Sequence, residues 1–429
     1  MKEIIYFQAG NFANYIGSHF WNTQEGYFTY GDEAEDPTVN HDISFREGLT
    51  AGGHTTFSPR LLIVDRKSNL GSSSDLYGEA EGTDELELLS QWNGNVAEYR
   101  QEPISKSDYH AKLDAEEEAL NEKDRDEEDP IQADDSKIRF WSDYNRVYFH
   151  PRTIHSLPDL SDWENVEGDW ALGRDTFYKF NEDTDFMEES FRPFVEECDS
   201  LQGIQVTDDT ANFGSFTHTF LTRFRDEFVK LPCLLKEGSD DLSSLSNRLN
   251  WRGNTSFSHL SGTFPLSSPF TPEADLEKRI YDLTAVSQDS TSKLDPTSTF
   301  ARMDVSRGFL KADITVYDER TIPFRPLLYS VHAPVIPIPS SYPAYFKSRR
   351  PSAATAFSSV VTSSRTAPLF ASYASLAEDC MHRHTDVIDK MGLEKDDIRQ
   401  LKEDLWALED GYKDDEQFED TDIGEEAEM

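Results

Sequence analysis

Two rhythms of apolar residues run through the first half of the chain. Short unbroken runs mark buried strands: Ile4 to Phe7, then Pro59 to Asp65 (PRLLIVD), which turn residues bound on both sides as in an interior parallel strand. Runs of period near 3.6 mark helices. Phe12, Ile16 and Phe20 fall on one stripe after the Gln-Ala-Gly turn, and Thr50 to His54 reads as a loop. Farther on, Phe191, Phe194, Val195, Cys198 and Leu201 share a helical face, with Asp185 and Glu188 suited to its first turn and Gly203 to the position just past its end. A short strand, Ile204 to Val206, then a loop (TDDTANFGS) and a second helix follow. That helix carries Phe216, Phe220, Phe224 and Phe228 at strict four-residue spacing, and KLPCLL reads as the next strand. Helix, strand, loop, helix and strand in that order predict a parallel α/β sheet.

Other stretches break the rhythm. Lys137 to Pro151 is aromatic-rich and β-like, whereas Leu113 to Asp135 is a dense acidic block that reads as a solvated insertion. Residues 236–330 are mixed, 331–368 are Pro/Ser-rich and read as a linker or surface loop, and 370–412 are helical in pattern before an acidic tail. The organisation expected is a core portion over 1–75, an acidic insertion over 76–136, a core continuation with a second domain over 137–330, a linker over 331–368, and a helix with an acidic tail over 369–429.

The 429 residues are 37% apolar and 12% aromatic, enough for a core. Mean hydropathy is −0.65, which fits long solvated insertions. The net charge of −41 repels nucleic-acid phosphate and anionic lipid heads, so direct nucleic-acid binding is not expected and basic partners or chaperones of acidic clients are. Cys198, Cys233 and Cys380 are widely spaced and form no CxxC, which points to buried free thiols in a reducing compartment. No presequence pattern or membrane-span run is seen, so the expectation is a cytosolic protein, with peripheral association on an organelle's outer face left open; the basic island KSRRPS is a candidate for that or for phosphorylation, against plain loop. P-loop, nucleophile-elbow and HExxH patterns are absent. His382 and His384, two apart, are poorly spaced for a metal, so neither catalytic nor metal residues are assigned.

A strand feeding a glycine turn that opens a helix is a common way to hold a phosphate. Here the stretch Met1 to Trp21 is similar to the N-terminus of tubulins, FREGLTAGGHTTFSPRLLIVD resembles a second tubulin segment, and EECDSLQGIQV resembles the helix and strand before the tubulin phosphate loop. The acidic insertion, FWSDYNRVYFHPRTIHSL and QWNGNVAEYRQEPISKSDYHAKLD resemble the Misato family of tubulin-related proteins. The resemblance implies a tubulin-like α/β fold, a Rossmann-type parallel-sheet scaffold, with a second α+β domain and disordered acidic insertions. It also implies a role in mitochondrial distribution, morphology and inheritance of mitochondrial DNA, at the cytosolic face of the mitochondrion and in the cytoplasm. Mitochondrial outer-face or cytoskeletal proteins, tubulin and the cytosolic chaperonin are the partners implied. Two alternatives stay open: a tubulin- or chaperonin-linked biogenesis or spindle factor, and a polymerising GTPase.

The nucleotide motifs are altered. Gly10, Asn14 and Gly17 match the first tubulin turn, while Asn11, Phe12, Ala13 and Tyr15 depart from it; Phe12 and Tyr15 are bulky, with base stacking as their alternative use. The glycine-rich cradle corresponds to Thr207–His218, which keeps one glycine, Gly214, and places Asp208 and Asp209 toward the phosphates. Two carboxylates within ~6 Å of phosphate oxygens repel them by several kcal/mol unless Mg²⁺ intervenes, which leaves a Mg²⁺-bridged variant open. Asn181-Glu182-Asp183 lies upstream of the cradle and reads as a helix-capping loop, and Lys67 stands where tubulins have a carboxylate. Gly10, Asn11, Asn14, Gly17 and Gly214 are therefore candidates for a vestigial nucleotide site, with no cofactor expected and GTP as the alternative.

Overall fold

A computed structural model describes residues 2–28, 39–49, 55–70, 139–147, 149–158, 170–228, 242–263, 281–282, 299–321, 328–338, 353–383, 388–389 and 391–413. The Thr50–His54 loop, the acidic block, KLPCLL, the basic island, His384 and the acidic tail lie outside these residues. The chain divides into two units, Met1–Leu242 with Pro337–Ser352, and Ser243–Ile336 with Ala353–Met429.

The first unit is built on four parallel strands: β1 (Glu3–Ala9), β4 (Leu61–Arg66), β5 (Ile154–Leu157) and β6 (Leu201–Asp208), in the order β5-β4-β1-β6. Strands β2 (Phe45–Leu49) and β3 (Thr55–Pro59) form an antiparallel pair just before β4. The pleat of β1 sends Ile5, Phe7 and Ala9 into one core and Ile4 and Tyr6 into another, so the sheet is covered on both faces, as parallel sheets require. The first core is a phenylalanine cluster in which Phe7 stacks on Phe220 with centroids 4.2 Å apart. Each such ring, fully buried, contributes about 1.5–3 kcal/mol. The second core is centred on Trp21 and Trp141, both fully buried.

Helix α1 (Asn11–Glu25) corrects the expected apolar stripe. Phe12 is 65% and Ile16 49% exposed, and the buried face carries Ala13, Asn14, Gly17, Ser18, Trp21 and Asn22. The reason is polar pairing. Asn22 Nδ2 donates to the Tyr144 carbonyl at 2.7 Å, and the Arg146 amide donates to Asn22 Oδ1 at 2.9 Å, so the helix is turned toward the Trp141–Tyr144 turn. That turn also replaces the β-like reading of the aromatic stretch: the Asp143 carboxylate takes the amides of Arg139 and Phe140 and curls the chain.

Helix α2 (Trp170–Thr184) ends at Asp185, whose φ of +48° breaks it. A π-turn, Phe186–Phe191, and a short α3 (Arg192–Glu196) follow. Leu201 and Gly203 belong to β6, not to the helix and its end, because Gly203 pairs with Ile4 in the parallel ladder. Burial pushes the Cys198 thiol up to about 11. Helix α4 (Thr210–Glu227) begins six residues earlier than its phenylalanine spacing suggested, because Phe213 joins Phe216, Phe220 and Phe224 on the buried stripe.

The second unit contains α5 (Leu242–Leu249) and a mixed sheet of β7 (His259–Thr263), β8 (Tyr281–Asp282), β9 (Thr299–Arg307), β10 (Leu328–Ala333) and β11 (Ala356–Ser363), in the order β10-β9-β11-β7-β8. Strand β10 runs parallel to β9, and the described registers of the other pairs are antiparallel. The end of β10 and the whole of β11 lie within the stretch read as a Pro/Ser-rich linker; β11 is mostly Ser, Val and Thr, which suit a pleat lined by buried polar partners. Helices α6 (Lys311–Thr321), α7 (Ala367–Arg383) and α8 (Lys395–Gly411) complete the unit. Among the described residues no helix is long and apolar enough to cross a membrane.

Candidate functional site at the switch point

Strand order places the functional crevice. The chain steps from β1 to β4 and β5 on one side, then returns to β6 on the other side of β1. In open α/β sheets ligands bind outside the carboxyl ends of the strands at such a reversal. The register sets Ala9 beside Val64 on one side and beside Asp208 on the other, so Gly10, Asp65 and Asp209 crown the three strand ends.

Gly10 is held there with φ +99°, a conformation glycine alone adopts readily, and its amide donates to the Val64 carbonyl at 3.0 Å. A Cβ at this position would stand 2.6 Å from Asp209 Cβ and 2.8 Å from the Phe213 ring. Asp209, the one residue between β6 and α4, donates its amide to the Ala9 carbonyl at 2.8 Å and accepts the Phe213 amide at 2.6 Å. The stretch read as a cradle, Thr207–His218, is therefore the end of a strand, a single linking residue and two turns of helix. A segment rich in turn-forming Asp, Thr, Asn and Gly folds this way because Phe213 has a core to enter.

The other candidates fall in two places. Asn14 is buried and donates Nδ2 to Asp65 Oδ2 at 2.9 Å. Gly17 lies one turn on, where a Cβ would stand 2.2 Å from Gln8 Oε1; its role is to admit the buried Gln8 side chain. Asn11 opens α1 and is exposed. Gly214 sits in the first turns of α4, against Thr210, apart from the β1 turn group. Gly10, Asn14 and Gly17 are thus brought together by the β1–α1 connection, and Gly214 is not part of that cluster. Asn181-Glu182-Asp183, read as a capping loop, lies within the last turn of α2, where Asn181 Oδ1 accepts the Met187 amide at 2.9 Å.

Asp65 ends the PRLLIVD motif but was not assigned to the site from the sequence, and neither was Asn69. Asp65 is fully buried and accepts from Asn14, from Asn69 Nδ2 at 2.9 Å and from the Arg66 amide at 2.8 Å. Burial pushes its carboxyl above the usual range, and these hydrogen bonds oppose that. Its place at the end of an apolar run was the available signal. Asp208 is also raised, by burial first and by the neighbouring Asp209 charge second. The polar groups at the crown are thus two carboxylates with raised pKa and the Gly10 and Asp209 amides, both paired to backbone carbonyls, beside a phenylalanine ring, while the first turns of α1 and α4 open there with no side-chain cap. A phosphate cradle needs free converging amides and small side chains. Among the described residues no group of three His, Cys, Asp or Glu is placed to hold a metal ion. An open groove of about 420 Å³ lies at the far, C-terminal end of α4, between Asp185–Glu188 and Arg223–Glu227.

A parallel sheet with its switch point at a glycine turn, followed by a unit with a mixed sheet, defines a tubulin-like protein. The family comparisons agree: a Misato Segment II tubulin-like domain matches residues 2–115, and a tubulin domain matches residues 130–292. Protein DML1 of Phaeosphaeria nodorum is 40% identical over 239 residues, covering 54% of this chain and 43% of that protein. Protein dml1 of Aspergillus oryzae is 39% identical over 234 residues (54% and 45%), and Protein misato of Drosophila melanogaster is 33% identical over 250 residues (53% and 43%). The chain thus carries a Misato Segment II tubulin-like domain and a tubulin domain, and the proteins named DML1 and misato are its homologues. Its match spans less than half the length of these relatives.

Proposed function

We propose that this protein is a non-enzymatic member of its family, a tubulin-like scaffold that acts by binding proteins in the distribution, morphology and inheritance of mitochondria. The observation that supports the non-enzymatic half is the packing of Asp209 and Phe213 against Gly10, where a phosphate cradle would call for small side chains. The carboxylates at the same strand ends add like charge where a triphosphate would bring more. The mitochondrial half follows from the Misato resemblance, with action from the cytosolic face of the organelle and from the cytoplasm.

Isothermal calorimetry with millimolar GTP and Mg²⁺ tests the first half: no heat is expected, and saturable binding overturns it. Depletion tests the second: mitochondria are expected to fragment or segregate unevenly while chaperonin and tubulin fail to co-purify. Co-purification of either with normal mitochondria overturns the organelle role in favour of tubulin biogenesis.

A further inference from the structure

The end of the parallel sheet opposite the switch point gathers three guanidiniums. Arg60 immediately precedes β4, His150 and Arg152 lead into β5, Arg46 lies on β2, and Glu197 and Cys198 stand between α3 and β6. Arg60 is the floor of this group and is only 7% exposed. Its Nε is buried with no hydrogen-bond partner, and its Nη1 meets the Cys198 Sγ at 3.9 Å. A guanidinium taken out of water needs a counter-charge and filled donor positions. Among the described residues Arg60 has no ion pair to supply the first, and its Nε lacks the second.

The carboxylates nearby are engaged elsewhere. Glu197 Oε2 accepts from Arg46 Nη1 at 2.5 Å, and its Oε1 lies 3.7 Å from Arg152 Nη1. Glu3 accepts the Ser200 amide at 2.9 Å. His150 registers the field at the rim: burial first, then Arg46 and Arg152, hold its imidazole below the ordinary range, with Glu197 opposing. The Arg152 and Glu197 side chains are 52% and 36% exposed, so the rim opens to solvent above the buried floor. This arrangement selects a small oxyanion. The planar fork of an arginine matches two oxygens of one acceptor group. Glu197 already serves the two rim guanidiniums as an internal counter-ion, and a phosphate, with about twice its charge and three acceptor oxygens, competes for the same donors. The net charge of −41 opposes a polyanion far more than a single phosphate group. We infer that Arg60, Arg46 and Arg152 form a binding site for one phosphate group, free or at the end of a small molecule, and that Glu197 is the internal carboxylate it displaces.

Isothermal calorimetry of the full chain with inorganic phosphate, near neutral pH and at constant ionic strength, tests this. Saturable binding is expected. Glu197→Gln is expected to tighten it by about tenfold, because the competing carboxylate is gone, and Arg60→Gln to weaken it by about tenfold or more. Arg60 is buried, so Arg152→Gln, a half-exposed change, is measured beside it and is expected to weaken binding severalfold with far-UV circular dichroism unchanged. Arginines that only brace the fold would not give these opposite directions. Glycerol phosphate titrated in parallel separates the sources: tighter binding of the ester assigns a phosphate monoester, and tighter binding of the inorganic ion assigns free phosphate. No saturable heat from either ligand, in the wild type and in Glu197→Gln, overturns the proposal. So does an affinity that is the same in the wild type, Glu197→Gln and Arg152→Gln. GTP heat that survives Arg60→Gln would belong to the switch point and count against the non-enzymatic reading alone.

Discussion

Gly10→Ala separates a packed turn from an open one. Two costs are written into the geometry. The backbone at φ +99° is outside the range an alanine adopts without strain, at about 1–3 kcal/mol. The new methyl would also meet Asp209 Cβ at 2.6 Å and the Phe213 ring at 2.8 Å. Neither neighbour is the end of a flexible chain: Asp209 is fixed by its amide bond to Ala9, and Phe213 is fully buried among Phe177, Phe216 and Phe220. Forcing a methyl into such packing costs about a further 1–3 kcal/mol. The sum, about 2–6 kcal/mol, is a large share of a typical 5–15 kcal/mol stability. Because a chain of two units need not unfold in one step, the assay is hydrogen exchange of β1 rather than a single melting curve. Amides of Glu3–Ala9 are expected to lose about one and a half to four orders of magnitude of protection, at about 1.4 kcal/mol per decade. An open cradle would show the backbone strain alone. A loss below about twentyfold, or a wild-type chain whose protection rises with GTP and Mg²⁺, refutes the packing described for Asp209 and Phe213.

Three further changes read other parts of the molecule. Gly17→Ala is expected to lower protection of β1 and α1 by about 1–3 kcal/mol through the Gln8 amide it strikes, and Gln8→Ala in the same chain to restore part of that loss. Asp65 has a folded pKa above its ordinary value near 3.8, so the folded state binds its proton more tightly and stability falls as pH rises from that value through the raised one. Asp65→Asn removes this dependence, and a flipped Asn14 amide can still pair with it; urea unfolding from pH 4 to 7 is expected to shift in favour of the variant as pH rises, and a shift the other way refutes the assignment. In the second unit, Asp304 is buried and accepts from Arg302 Nε at 2.8 Å, from Ser359 Oγ at 2.5 Å and from the Tyr317 hydroxyl. Asp304→Ala takes away the carboxylate partner of the buried Arg302, at about 3–5 kcal/mol, and exchange of the Thr299–Arg307 amides is expected to quicken by about two to nearly four orders of magnitude, less in Asp304→Asn.

What could be read without coordinates was what strand burial writes into a run of residues. The strands β1 and β4 stood out because a parallel interior strand is apolar on both faces, so Ile4–Phe7 and Leu61–Val64 have no polar interruption. The four-residue phenylalanine spacing located α4 for the same reason. The missed features all depend on partners distant in sequence. Periodicity showed that α1 has an apolar stripe, but which side meets the protein was decided by Asn22 and the Tyr144 carbonyl, 122 residues away. The start of α4 was hidden because Asp-Asp-Thr-Ala-Asn has turn composition, and the pull of one buried ring, Phe213, outweighs it. Strand β11 was hidden because its buried positions include Ser359 and Thr362, whose hydroxyls are satisfied by the fold and so look like loop residues beforehand.

The same logic bears on the turn that keeps the tubulin pattern. The residues that keep the tubulin pattern here, Gly10, Asn14 and Gly17, each have a packing duty: a positive φ against Phe213, a hydrogen bond to Asp65, and clearance for Gln8. Of the residues that depart from it, Asn11 and Phe12 are exposed, Tyr15 is half-buried against Tyr144, and Ala13 is buried. A ligand would constrain the opposite set, because it reads exposed backbone and the side chains around it rather than the glycines that turn the chain. The kept positions therefore each answer a demand of the sheet, and the opening motif is evidence for the scaffold before it is evidence for a ligand.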